Sequence, residues 1–188
     1  MATAQNALHK HRLSVHDYHR MGEAGIFAAG ERVELIDGEV IDMSPIGSQH
    51  AGTVILLTDA LKKAVGEEAV ISVQNPIVLG DYSEPEPDIV LLRPRADFYR
   101  DSHPGAGDIL LVIEVADSSL QGDREAKVPL YAHHGIPEAW LIDTRNSRMS
   151  IFHTPVETGY QQEHKTSVPG LVKLQALPEV TVDLSRLF

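Results

Sequence analysis

The chain has 188 residues, 43% of them hydrophobic and 23% charged, and it carries a net charge of −11 with no cysteine. That length suits one domain able to bury a sizeable core, and the absence of cysteine rules out a disulfide framework or a thiolate zinc site. The acidity counts against a general nucleic-acid coat or a membrane-surface binder, which want basic surface, but not against an enzyme that meets phosphates through a few local cations and a metal ion.

Residues 1–12 are expected to be a flexible lead-in, and no linker divides the remainder, so a single domain over 1–188 is expected. Residues 13–24 ("LSVHDYHRMGEA") predict a short helix with Ser14 as N-cap and Asp17 at its third position. "ERVELIDGEVIDMSP" places two β-rich runs around Asp37-Gly38, the pair favoured in tight type I′ hairpins. "SQHAGTVILLTDALKKAVGE" is helical, with apolar residues at Val54, Leu57, Leu61 and Val65 and a stop at Gly66. Two strands follow, "AVISVQNPIVLG" and "PDIVLLRP", then a loop, "RADFYRDSHPGAGD", with room for one helical turn. "ILLVIEVA" is an unbroken apolar run, the mark of a buried central strand. Residues 123–134 are helical, although Pro129 removes a backbone donor there and predicts a distortion. "PEAWLIDT", "MSIFHT", "YQQEHKTSV" and "LVKLQAL" supply further β-structure, and "EVTVDLSRLF" is a terminal strand or short helix. The fold class is α/β, a mixed sheet with helices on it.

Some features are bland on inspection. No apolar run approaches the roughly 20 residues that cross a bilayer, and the first residues lack the apolar stretch of a secretion signal, so a cytoplasmic protein is the default expectation. Ten histidines invite a metal reading, but His16 and His19 of "HKHRLSVHDYH" lie on a surface helix without fixed geometry. His133 and His134 suit a helix C-terminus, and Trp140 suits the core.

The chemistry-bearing feature is a pair of acids at strand ends. Asp88 begins "DIVLLRP" and Glu114 ends "ILLVIEV". If these consecutive strands pair antiparallel, both carboxylates fall at one end of the sheet. Alternation sets Asp88, Val90 and Leu92 on one face, and Leu110, Val112 and Glu114 on one face. Two close carboxylates repel unless a cation separates them, and a divalent ion with oxygen ligands relieves both the repulsion and the desolvation. Lys127, one loop and about one helical turn after Glu114, can add positive charge. Asp123, Lys127 and Tyr131 form one stripe of that helix, at i, i+4 and i+8. The alternative is a turn-capping Asp88 and an ordinary salt bridge at Glu114. Glu34 alternates with Val33 and Leu35, so it either joins the acids or faces solvent.

Beyond this local chemistry, "VELIDGEVIDMSP", the histidine of "GSQHAGTVILLTDAL", "EPDIVLL", "LLVIEVADSS", "DREAKVPLYAHHGIPEAWLID" and "VPGL" occur in an order that resembles the PD-(D/E)xK nuclease superfamily. The resemblance is to its branch of restriction endonucleases of the Uma-two type, and it covers most of the chain from Leu13 onward. It implies a restriction-endonuclease-like fold, with a four-stranded mixed core sheet flanked by helices, and divalent-metal-dependent phosphodiester hydrolysis. It matches Asp88 to the acid of the PD motif, Glu114 to the second acid, Glu34 to the upstream acid and His50 to a histidine near a helix start. The usual lysine position, two residues after Glu114, holds Ala116, followed by Asp117; in this branch the lysine has moved to the next helix, where Lys127 matches.

The leading expectation is therefore a Mg²⁺-dependent endonuclease cutting DNA, with Mn²⁺ as a substitute. Asp88 and Glu114 would hold the ion, with Glu34 and Lys127 completing the catalytic set. A homodimer is expected, since one small acidic domain offers little surface for gripping a duplex. A non-catalytic DNA- or protein-interaction module that keeps the fold, and a metal-dependent phosphoesterase for smaller substrates, stand as alternatives.

Overall fold

A computed structural model describes residues 10–188. Of the expected flexible lead-in, residues 1–9 lie outside the described residues; in the rest, Arg12 donates to the Asp37 carbonyl at 2.9 Å. Helix α1 (Val15–Glu23) starts with the expected capping box, Ser14 and Asp17 satisfying each other's backbone N–H groups. Strands β1 (Val33–Ile36) and β2 (Glu39–Asp42) form the expected hairpin. Both turn residues have positive φ, 50° at Asp37 and 81° at Gly38, as a type I′ turn requires.

Gly38 also packs against the chain ahead of α1. A Cβ there would lie 2.6 Å from Arg12 Cβ and 3.0 Å from Arg12 Cα. Gly38→Ala should therefore lower stability by about 1–3 kcal/mol through clash and backbone strain. Urea unfolding checks this; an unchanged midpoint would show that the hairpin is not tied to the rest of the fold.

Helix α2 (Ser48–Val65) buries the expected stripe of Val54, Leu57, Leu61 and Val65, and Gly66 ends it at φ 53°. The strands β3 (Val70–Val73), β4 (Ile89–Leu92), β5 (Ile109–Ala116), β6 (Glu138–Asp143), β7 (Arg148–Val156) and β8 (Gly159–Thr166) form one sheet of six, in that order. It is wider than the four strands implied by resemblance, because the turn after β6 folds the chain back into β7 and β8 along the same edge. All neighbours are antiparallel except β5 and β6, which are parallel. A parallel pair needs a crossover, supplied here by α3 (Leu120–Gly122), a π-helical turn (Asp123–Lys127) and α4 (Val128–His133). Strands β9 (Leu171–Lys173) and β10 (Thr181–Asp183) pair apart from the main sheet. Among the described residues, no helix is long and apolar enough to cross a membrane.

The sheet has a core on each face. On one side, α2 and the β9–β10 pair pack against Ile89, Leu91, Ile113, Val115, Trp140 and Ile142. On the other, Val128, Leu130 and Tyr131 of α4 pack with Ile36 and Ile77 against Val90, Leu92, Val112 and Leu141. Glu114, alternating with Ile113 and Val115, thus belongs to the α4 face. Leu110 departs from the expected alternation. The β4–β5 register shifts between Leu91 and Leu92, paired with Leu111 and Ile109, so the residue between them bulges and packs toward α2. Trp140 is core, as expected, and its indole N–H donates to the buried Glu138 carboxylate at 2.7 Å.

The distortion expected at Pro129 takes a definite form. Just ahead of it, the Val128 N–H bonds the Asp123 carbonyl, one residue further back than in an α-helix. Pro129 then sits in the first turn of α4, where its missing donor is tolerated.

Candidate functional site

The antiparallel β4–β5 register pairs Ile89 with Ile113, which sets Asp88 opposite Glu114 at one end of the sheet. Asp88 is held on both oxygens. Its Oδ2 accepts the Val115 N–H at 2.8 Å, and its Oδ1 accepts Gln74 Nε2 at 3.1 Å and lies 2.9 Å from His50 Nε2. The His50 pKa is raised, first by its hydrogen bond to Asp88 and against the opposing effect of burial. His50 reaches the acid from the first turn of α2.

Glu114 is 3% exposed, and this burial pushes its pKa well above the usual carboxylate range. The Tyr131 hydroxyl donates to Oε1, and Lys127 Nζ lies 3.4 Å from the same oxygen. The lysine amino group is 2.9 Å from Glu34 Oε2 and 3.9 Å from Asp123 Oδ1. Burial alone would lower the Lys127 pKa, but Glu114, Glu34 and Asp123 together raise it, so the ammonium stays charged. Asp123 is raised by burial, Lys127 opposing, and its Oδ2 accepts the Ser119 hydroxyl at 2.6 Å. Glu34 does not face solvent: it is buried in β1, and its Oε2 also accepts the Glu86 N–H at 3.1 Å.

The structure thus brings together Glu34, Asp88, Glu114 and Lys127, with His50 and Asp123 beside them, all six named from the sequence. Gln74 was not foreseen. It directly follows β3 with φ 50°, a left-handed conformation that turns its amide onto Asp88, and nothing in "SVQNP" distinguishes it from an ordinary turn residue. The contact of Tyr131 with Glu114 was legible only as membership of a helix stripe. Asp117 also lines the cleft, where it pairs with Arg145 Nε at 2.5 Å. His19 is bound to the Glu84 carboxylate at 2.7 Å, which accounts for it without a metal.

These groups line a cleft of about 680 Å³ between the sheet end and the β1–β2 hairpin. One wall is apolar, from Ile36, Ile41, Met43 and Ile46; nine carboxylate residues line the cleft against Arg32 and Lys127. Among the described residues, no group of three or more histidines or acids is arranged to hold a metal ion. A site here would therefore rest on two acids.

Comparison with known proteins agrees with this architecture. A crystal structure of "a putative nuclease belonging to DUF820" from Anabaena variabilis superposes with a TM-score of 0.66 at 18% identity, covering 84% of this chain and 90% of that one. At that identity the likeness concerns the fold. No match is found among curated proteins. The model of the Uma2 family, described as "Putative restriction endonuclease", matches residues 15–185, and the chain belongs to that family.

Proposed function

We propose that the protein is a divalent-metal-dependent endonuclease that hydrolyses DNA phosphodiester bonds in the cytoplasm. The observation that carries this reading is the charged Lys127 ammonium buried among Glu34, Glu114 and Asp123, next to the Asp88–Glu114 strand pair. A structural role alone is a weak account of it, because replacing a buried ion cluster by hydrophobic groups of the same volume is often neutral or stabilising.

The donors fit a hard divalent ion. Mg²⁺ is commonly held by one or two carboxylates, with water and substrate phosphate completing its shell, and Asp88 and Glu114 are the two carboxylates here. Mn²⁺ takes the same oxygen ligands. An ion held there would polarise the scissile phosphate and activate water as the nucleophile. The chain's own residues do the rest. Val115, His50 and Gln74 fix the Asp88 carboxylate. Glu34, itself held by the Glu86 N–H, orients Lys127. The lysine offers N–H donors to the attacking water or to the charge that develops on phosphate.

The acidity of the cleft favours a second reading, a nuclease fold retained as a protein-interaction module, because nine carboxylate residues repel a bare polyanion. Incubation of supercoiled plasmid with Mg²⁺ or Mn²⁺, against an EDTA control, separates the two. Ion-dependent nicking or linearisation is expected; no cleavage with any divalent ion would overturn the nuclease reading. A two-fold dimer gripping the duplex belongs to the same proposal, and sedimentation of the mixture tests it: a monomer with and without DNA would remove that element.

A further inference from the structure

On the reading that Glu114 holds a divalent ion, we infer that Tyr131 is a positioning residue that fixes which oxygen of Glu114 faces the ion. Tyr131, on the buried face of α4, is fully enclosed, and Glu114, at the end of β5, is 3% exposed. The tyrosine hydroxyl donates to Oε1. Lys127 approaches that same oxygen, and among the described residues no donor reaches Oε2. Glu114 nevertheless lines the cleft, and among the described residues no enclosed side-chain oxygen is left without a partner, so Oε2 is the oxygen on the open side. The carboxylate is thereby split into a held oxygen and a presented one.

Lys127 and Tyr131 lie four residues apart, on one helix face, which lets both approach Oε1. The π-helical turn over Asp123–Lys127 ends at the lysine, and regular α-helix resumes from Val128 through Tyr131. π turns of this kind concentrate at functional sites. A hydroxyl that only filled space would be replaceable by hydrogen. One that orients a ligand would not, because loss of such an outer partner commonly weakens metal affinity or activity by about 10–100-fold.

The test uses the full chain and Mn²⁺ as probe, with binding read by calorimetry or electron paramagnetic resonance, independent of cleavage. Tyr131→Phe keeps the ring that fills the core. It should bind Mn²⁺ about 10-fold or more weakly, with thermal unfolding still cooperative. Plasmid cleavage should recover toward the parent rate as Mn²⁺ is raised, since affinity and not chemistry is impaired. Glu114→Gln serves as reference and should lose binding. If it does while Tyr131→Phe binds Mn²⁺ like the parent, the inference is overturned and the metal site stands. If Glu114→Gln binds normally, or the parent binds no Mn²⁺, the metal reading beneath it fails and takes the inference with it.

Discussion

Asp88→Asn and Glu114→Gln should each abolish divalent-ion-dependent cleavage, yet they should differ in stability. Both remove a charged oxygen donor from a site that has only two such acids to offer, so neither leaves a competent ligand set. Asp88 spends its two oxygens on three neighbours: the Val115 N–H on one, and Gln74 with His50 on the other. An asparagine has one acceptor oxygen, so its NH₂ group must face one of these donors. Leaving a buried donor without its acceptor costs about 1–3 kcal/mol, and Asp88→Asn should melt correspondingly earlier in EDTA. Glu114→Gln keeps an acceptor for Tyr131 and relieves an acid whose burial already disfavours its charge. Its loss is the pairing with Lys127 at 3.4 Å, which Glu34 at 2.9 Å shares. Its melting temperature in EDTA should stay near the parent's. Plasmid cleavage and thermal melts on the same samples check both halves. Cleavage at the parent rate by either variant would show that the acids are structural.

How far this site could be read from the sequence depends on the kind of signal each residue carries. The capping box at Ser14, the Asp37-Gly38 turn and the α2 stripe are local patterns, and local patterns survive folding. The convergence of Asp88 and Glu114 needed one further step, the antiparallel pairing of neighbouring strands, and the register supports it. The face of Leu110 was misread because a bulge between Leu91 and Leu92 has no signature in an all-apolar run. Gln74 was invisible because its role depends on a left-handed backbone that its neighbours do not announce. Glu34 could be seen as a candidate but not as buried, because strand alternation is the same for either face until the rest of the fold covers one of them. Pro129 is the instructive case. Sequence rules correctly mark a break in the helix, but they do not say that the break is absorbed as a π-helical turn that leaves Lys127 aimed at Glu34 and Glu114.

Lys127→Met should lower the cleavage rate by a factor on the order of 10² or more, the effect of removing a preorganised donor from a developing negative charge. The lysine is held in place by three carboxylates. Its side chain is buried, and its amino group lies 2.9 Å from Glu34, 3.4 Å from Glu114 and 3.9 Å from Asp123. Removing it leaves those three carboxylates enclosed without their cation, which in the metal-free protein should destabilise by about 3–5 kcal/mol before relaxation. Proton uptake by Glu114, already favoured by its burial, limits the loss. A divalent ion bound at Asp88 and Glu114 would restore part of the missing positive charge, so Mn²⁺ should raise the melting temperature of Lys127→Met above its value in EDTA. Lysine is a donor and not a ligand, so Mn²⁺ affinity itself should change much less than the rate. The three readouts divide the roles cleanly: cleavage near the parent rate with a large drop in EDTA melting temperature would make Lys127 a counter-ion for buried acids and nothing more, whereas a slow enzyme that still binds Mn²⁺ places the ammonium in the chemical step.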